Sequence, residues 1–349
     1  MSKFIYLTTI SICLALFGHD LIAQNVNVDN LRFKYKVRYL PKNPLEPRSF
    51  YYVVNTSMPP EMRDFVDEPM LRNRCRIEGQ RQAESFKQGD VVVDMALSPV
   101  NVLNAVVRER SVKDRKGRRL YYFWIEVTYT SEASVIVSKG SKELMRFMPM
   151  SYRESITFRS EEYGSFLGAA AYWKNNSEML MGQFTRECAN IAVDKASDML
   201  SLHFGFPLIT EPALIKTINE KNHPENLPLR EMSSSIETKV SSLSGDHVLT
   251  EEDMAQEIVY FKDILTRYTD NVSKADIRLR YVAYYNLCRI YMYINQPEKV
   301  KEWADLLALN GHDKKDGERL IKDAQNLIDR FKYSDIKTCQ FNPDAFFTD

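Results

Sequence analysis

The stretch Leu120–Thr130, LYYFWIEVTYT, decides the fold of the front half of the chain. Its odd-numbered residues are aromatic or apolar, and this period of two is that of a half-buried β-strand. Just before it, Asp114-Arg-Lys-Gly117 predicts a tight turn in which the glycine takes a positive φ. Val102–Val112, which is also predicted as a strand, lies on the other side of that turn. The stretch therefore predicts one arm of a β-hairpin.

Outward from this hairpin, the same alternation predicts further strands, and a helical period follows them. The period of three and four residues is strongest over Ser177–His203, where Gly205 and Pro207 end the helix. A helix of that length measures roughly 40 Å and can cross a whole sheet. We predict an α+β fold in which a mostly antiparallel N-terminal sheet is covered by this long helix. The further strands are Leu31–Tyr39, Ser49–Val54, Asp90–Leu97, Val135–Ser138 and Glu143–Phe147, and a short helix is predicted over Phe166–Trp173.

The back half of the chain is predicted to be a separate all-α domain built from helical hairpins. Four prolines between Pro207 and Pro228 favour a linker, within which Ala213–Ile218 is a candidate short strand. The predicted domains are therefore an α+β domain over 24–206, a linker over 207–228, a helical-hairpin domain over 229–333 and a C-terminal tail over 334–349. The predicted helices are Leu229–Leu243, a helix capped by Thr250 and running to Tyr268, Lys274–Tyr293, Pro297–Leu309 and Lys314–Phe331.

The N-terminus has the three parts of a secretory signal peptide, predicted over 1–23. Lys3 precedes the 14-residue apolar run Phe4–Phe17, and Ala23 is the small residue at the cleavage point. Such a run spans about 21 Å as a helix, short of the roughly 30 Å hydrocarbon core, which favours cleavage over a retained anchor. The junction with Gln24 resembles signal peptides common in Bacteroidota. We expect export to the periplasm or the cell surface and exterior, with no membrane span after cleavage.

The composition of the chain disfavours several classes of function. The chain holds 47 basic and 47 acidic residues, and this balance argues against nucleic acid as a partner. No catalytic, metal or nucleotide motif is present, so we expect no cofactor and favour a non-enzymatic function. A secreted hydrolase with a non-local active site is the alternative. Cys188 and Cys288 fall in the apolar phase of helices and are predicted to be buried free thiols, whereas Cys75 and Cys339 leave a bridge open.

One segment of the back half resembles a tetratricopeptide repeat. Ala283–Tyr291 and Gln296–Ala304 place Tyr284, Leu287 and Tyr291 ahead of a Gln-Pro-Glu-Lys turn. The sequence departs from the repeat at Cys288, Val300 and Ala304. The resemblance covers one unit and implies a surface for a protein or peptide partner, with Tyr284, Tyr291 and Trp303 as candidate partner-binding residues. An ordinary helical bundle is the alternative.

Two further surfaces are candidates for binding. Leu31–Tyr39 carries a basic face that suits an anionic glycan, a lipid headgroup or an acidic partner, although edge strands also use such charges against edge-to-edge pairing. Opposite the core face of Leu120–Thr130, Tyr122 and Trp124 suit sugar stacking, although packing under the long helix is favoured. The sequence thus predicts an exported assembly or scaffold protein of the cell envelope with a protein partner; a carbohydrate- or surface-binding module that takes a glycan is the alternative. The cations of the basic face are Arg32, Lys34, Lys36 and Arg38.

Overall fold

The chain folds into two compact units. The structure, a computed structural model, describes residues 26–85, 87 and 90–347; the predicted signal peptide, 1–23, lies outside these residues. The helical unit combines residues up to Arg38 with Leu208–Asn342, and the sheet unit combines Tyr39–Pro207 with the segment that starts at Pro343. This division differs from the predicted one, because the first strand and the region predicted as a linker both belong to the helical unit.

The α+β prediction is confirmed, with strands and one long helix in the front half and several helices in the back half. The strands are β1 (Val28–Arg38), β2 (Tyr51–Ser57), β3 (Arg81–Gln82), β4 (Val91–Leu97), β5 (Asn101–Lys113), β6 (Arg119–Thr130), β7 (Ala133–Lys139), β8 (Lys142–Met150), β9 (Ile156–Arg159) and β10 (Leu208–Ile218). The helices are α1 (Pro60–Arg63), α2 (Glu68–Arg74), α3 (Phe166–Phe204), α4 (Asn226–Ser241), α5 (Ala255–Arg267), α6 (Lys274–Tyr293), α7 (Pro297–Leu309) and α8 (Lys314–Ser334), followed by a 3-10 turn at Pro343–Phe346.

Two sheets form the sheet unit. The larger has the strand order β3-β2-β4-β7-β8, in which β2 runs parallel to β3 and β4 and the other pairs are antiparallel. The smaller is the antiparallel sheet β5-β6-β9, whose hairpin turns at Gly117 with a φ of 78°. The predicted hairpin at Leu120–Thr130 therefore forms as its alternation indicates.

Helix α3 covers the apolar faces of these strands, as predicted. Where the sequence predicted two helices, one unbroken helix of 39 residues forms, and Ser165 caps it by accepting from the backbone N–H of Gly168. Phe184 of this helix is fully buried and stacks on Tyr129 of β6 at 4.1 Å. Phe158 of β9 adds a tilted contact at 5.4 Å. Aromatic packing thus holds helix and sheet around one core.

In the helical unit, β1 pairs with β10 along its whole length. The pairing is antiparallel and joins Val28 to Ile218 and Arg38 to Leu208. The region predicted as a linker is thus largely a strand, longer than the predicted segment Ala213–Ile218. The physical reason is burial: the alternate residues Ala213 and Ile215 are 1% and 0% exposed, which is the period of a half-buried strand.

One buried asparagine joins this strand pair to helix α6 by two hydrogen bonds. Asn286 of α6 is fully buried, and its side-chain oxygen accepts from the backbone N–H of Lys216 at 2.8 Å. Its side-chain nitrogen donates to the Lys216 carbonyl, also at 2.8 Å. At Lys216, the Asn286 side chain therefore pairs the backbone N–H and C=O that a third strand would otherwise bind.

Helices α5 to α8 pack in sequence, each on the next. The predicted bounds of α6 and α7 match the observed ones, and α8 runs three residues beyond its predicted end. Thr250 and Asp253 form the predicted reciprocal hydrogen bonds, but they do so in a turn ahead of α5, which begins at Ala255. The four described cysteines are free and buried, which confirms the prediction for Cys188 and Cys288.

Candidate interaction surfaces

The basic face of β1 presents three cations to solvent instead of four. Arg32, Lys34 and Lys36 are exposed, and none of them forms an ion pair with another described residue. Arg38 differs, because its Nε donates to the Phe341 carbonyl at 2.7 Å and its side chain is only 14% exposed. Its guanidinium also pairs with Asp246. The assignment of Arg38 to the open basic face is therefore wrong, because the segment after α8 pairs with this end of β1.

Tyr122 and Trp124 lie on the outer face of the sheet β5-β6-β9. Helix α3 packs against the other face, where it contacts Tyr129, so the preferred interpretation that the helix covers this pair is wrong. Instead, the Arg159 guanidinium lies 4.0 Å from the centre of the Trp124 ring, and the Arg110 guanidinium lies 5.3 Å from that of Tyr122. Both rings are half-buried.

This arrangement disfavours sugar stacking at the two aromatic residues. A sugar needs an open ring face, whereas a guanidinium already lies over each of these rings. Glu162 pairs with Arg110 at 2.8 Å, and the hydrogen bond from Arg110 lowers the pKa of that carboxyl. The two rings and the basic face of β1 also belong to different units. The outer face of this sheet is consequently a neutralised network of charges and rings.

The helical hairpin α6–α7 holds the most open aromatic pair of the helical unit. Tyr284 and Trp303 are both half-buried, and their ring centroids are 6.2 Å apart. From α5, the Lys262 Nζ approaches the Trp303 ring at 5.8 Å. Tyr291, in contrast, is 1% exposed, with Lys299 over its ring, so its assignment as a partner contact is wrong. Tyr291 lies about two turns after Tyr284 on α6, where Lys299 and Glu251 contact it.

Two aliphatic residues complete this surface. Val259 lies one turn before Lys262 on α5 and is 66% exposed, and Leu306 lies one turn after Trp303 on α7 and is 44% exposed. Residues three apart share a helix face, so each extends the patch that its neighbour begins. We call the five residues the aromatic surface: Val259, Lys262, Tyr284, Trp303 and Leu306.

Sequence reasoning missed Val259, Lys262 and Leu306. The signal that would have found Val259 and Leu306 is an apolar residue on the polar side of an amphipathic helix, three residues from an aromatic or cationic one. Chemically the surface offers rings, aliphatic groups and one ammonium. It can bind an apolar or aromatic segment.

One charge of the helical unit, the Glu225 carboxylate, is buried and held by several hydrogen bonds. Glu225 is 3% exposed and accepts hydrogen bonds from Tyr260 at 2.7 Å, from Tyr268 at 3.0 Å and from Arg267. Burial by itself would raise the pKa of the Glu225 carboxyl. The hydrogen bonds from Arg267 and the two tyrosines outweigh burial, and the pKa is lowered. The carboxylate therefore joins the start of α4 to the end of α5 in its charged form.

We expect Glu225→Gln to destabilise the helical unit at neutral pH and to have little effect in acid. The folded pKa lies below the unfolded value of about 4.3, so the carboxylate stabilises the fold above that value. The contribution is lost as the pH falls through the folded pKa. Urea unfolding of both proteins as a function of pH measures the difference. A difference that stays constant down to about pH 3 would contradict the role of the charge.

Among the described residues, no helix combines the length and the apolar character of a membrane-spanning segment. The same residues contain no group of three or more His, Cys, Asp or Glu side chains placed to hold a metal ion.

The chain is only weakly similar to known proteins. No family model matches the chain, and no curated protein matches it. Among solved structures, it is similar to the rare lipoprotein B from Shewanella oneidensis, at 16% identity over 44% of this chain and 98% of that one, with a TM-score of 0.19. It is also similar to a minor lipoprotein from Acinetobacter baumannii, at 12% identity over 45% and 94%, with a TM-score of 0.21. Similarity at these TM-scores is too weak to transfer a fold or a function.

Proposed function

We propose that the chain is an exported, non-enzymatic cell-envelope protein whose helical unit binds a protein partner as part of an assembly or scaffold. The observation that carries this proposal is the aromatic surface. It presents two half-buried rings between two exposed aliphatic residues, on consecutive helices that pack on one another. The predicted signal peptide supplies the route to the envelope.

The aromatic surface has the composition of a protein-binding site. Trp and Tyr are enriched among the residues that dominate binding energy, and half-buried rings lose little conformational entropy when a partner covers them. Lys262 gives the partner a charge to complement, and Val259 and Leu306 provide an apolar rim. An amphipathic partner helix laid across such a surface would bury its apolar stripe there.

The helical unit also supports a tetratricopeptide-like arrangement as part of the proposal. In repeat proteins each helix packs mainly on its sequence neighbours, and small residues let the helices approach closely. Helices α5 to α8 pack in this order, each on the next, and Gly317 of α8 lies directly against Ala304 and Ala308 of α7. We propose that this short array acts as a rigid support for the aromatic surface.

The proposal is tested by affinity capture from the native cell envelope. A tagged wild-type protein is compared with Leu306→Glu, which is exposed, and with Trp303→Ala, and the captured proteins are quantified by mass spectrometry. We expect one partner to fall by about 30-fold with each variant, as for a residue worth about 2 kcal/mol at a protein interface.

The matched control is a double variant, Leu227→Ser with Val272→Ser, which removes two apolar residues of the helical unit that are 66% and 88% exposed and lie outside α5, α6 and α7. It is expected to retain the partner. Capture that is unchanged in Leu306→Glu, or lost equally in the control, would contradict the proposal. Melting temperatures of all variants show that the loss is one of binding and not of folding.

A further inference from the structure

The hairpin β5–β6 extends beyond the sheet to which it belongs. Its two strands stay paired as far as Lys113 and Arg119. The third strand, β9, pairs with β6 only over Glu126–Tyr129, and a single bridge joins Phe123 to Tyr163. Among the described residues, the hairpin beyond Phe123 is therefore two-stranded. We call residues 112–121 the hairpin tip.

The hairpin tip concentrates positive charge in a chain that is neutral as a whole. Residues 113–119, KDRKGRR, hold five cations and one carboxylate. That carboxylate, Asp114, accepts from the backbone N–H groups of Lys116 and Arg118 and from Arg118 Nε at 2.9 Å. It offsets the charge of Arg118 alone. Four exposed cations have no partner among the described residues: Lys113, Arg115, Lys116 and Arg119.

The hairpin tip also exposes apolar side chains, which a purely electrostatic element would not need. Val112 and Leu120 face each other across the strands and are 44% and 42% exposed. Tyr121 points to the opposite face, because successive residues of a strand alternate, and it is 46% exposed. The hairpin tip thus exposes both cations and apolar side chains, and the apolar side chains lie on both of its faces.

We propose that the hairpin tip binds the surface of an anionic phospholipid bilayer. The four unpaired cations lie at the depth of the lipid phosphates, while Val112, Leu120 and Tyr121 enter the interfacial region. Long basic side chains can hold their charges in the headgroup layer as neighbouring apolar groups go deeper. Such cations contribute about fivefold each to membrane partitioning, which corresponds to about 1 kcal/mol per cation.

A nucleic acid would also bind the four cations, but it would not contact the aliphatic side chains of Val112 and Leu120. Phosphate contacts are made by Lys and Arg, and bases stack on aromatic rings, so Val112 and Leu120 would stay exposed to water. A membrane buries all three apolar residues together with the charges. The two occupants therefore predict different effects of the apolar residues, and the experiment separates them.

The experiment is vesicle co-sedimentation of the chain from Gln24 onward, which lacks the apolar stretch Phe4–Phe17. Vesicles of phosphatidylcholine with and without phosphatidylglycerol are compared at low and high salt. We expect binding only to the anionic vesicles, weakened by salt because the surface charges are screened. A variant with Gln at each of the four cations should bind at least about 100-fold more weakly. The substitutions are Lys113→Gln, Arg115→Gln, Lys116→Gln and Arg119→Gln.

The matched control variant makes the same change of net charge on four exposed, unpaired lysines of the helical unit. Its binding to anionic vesicles should stay close to that of the wild type, because those lysines do not belong to the hairpin tip. A third variant, Val112→Ser with Leu120→Ser and Tyr121→Ser, should bind anionic vesicles about tenfold more weakly. The control substitutions are Lys221→Gln, Lys274→Gln, Lys322→Gln and Lys332→Gln.

Three results would overturn the proposal. The first is a wild-type protein that does not bind phosphatidylglycerol vesicles. The second is a control variant whose binding is weakened as much as that of the four-cation variant. The third is a single-stranded oligonucleotide that binds the hairpin tip while anionic vesicles do not, which would assign the surface to nucleic acid. The variants are expected to fold, because the hairpin tip lies outside the buried core. Circular dichroism of each variant checks this.

Discussion

Replacing Phe184 by alanine is expected to lower the free energy of unfolding of the sheet unit by about 3–5 kcal/mol, the cost of removing a fully buried aromatic ring. Phe184 is 0% exposed and is the residue through which α3 meets both β6 and β9. The cavity would open between Tyr129 and Phe158. Both rings would lose a packed neighbour, and the helix would lose its firmest contact with the sheet.

Chemical denaturation followed by far-UV circular dichroism measures this loss. Met179→Ala is the matched control, because Met179 lies on the same helix and is 56% exposed. It should cost less than about 0.5 kcal/mol, as surface substitutions usually do. Equal midpoints for the two variants would contradict the placement of α3 over the sheets.

Gly317→Val is expected to destabilise the helical unit by about 3 kcal/mol, the upper range for overpacking a tight core. A Cβ at this position would lie 2.7 Å from the Ala308 backbone nitrogen and 2.8 Å from the Ala304 carbonyl oxygen. Both are backbone atoms of α7, so no side chain can move aside. Helices α7 and α8 would have to separate along their contact.

Lys315→Val is the control, because it places the same side chain at an exposed position of the same helix and costs less than about 1 kcal/mol in helix propensity. Urea unfolding followed by far-UV circular dichroism measures both variants. If Gly317→Val unfolds at the same urea concentration as Lys315→Val, the close approach of the two helices is contradicted.

The sequence predicted best those elements whose signals are local. The predicted bounds of α6 and α7 match the structure, in which Ser273 caps one helix and Pro297 opens the other, and such signals act within one turn. The β5–β6 hairpin was predicted for the same reason, since its turn lies between its strands. The pairing of β1 with β10 was missed, because an alternating pattern identifies a strand without naming its partner.

The candidate surfaces show the same limit. Periodicity placed Tyr122 and Trp124 on the face opposite the core, but it did not show that Arg110 and Arg159 lie over their rings. Those arginines come from neighbouring strands, and their registers are set by pairing across the sheet. Tyr291 was assigned to a surface because its spacing fits a repeat, whereas Lys299 and the turn that contains Glu251 cover it in the structure.

Whether β1 unfolds with the helices or with the sheets is decided most directly by native-state hydrogen exchange in the Gly317→Val protein. Exchange of backbone amides reports the stability of the unit to which each belongs. We predict that amides of 28–38 exchange faster than in the wild type, together with those of 208–218 and 274–293, while those of 91–97 stay unchanged. Amides of 28–38 that keep their wild-type protection along with 91–97 would contradict the assignment of β1 to the helical unit.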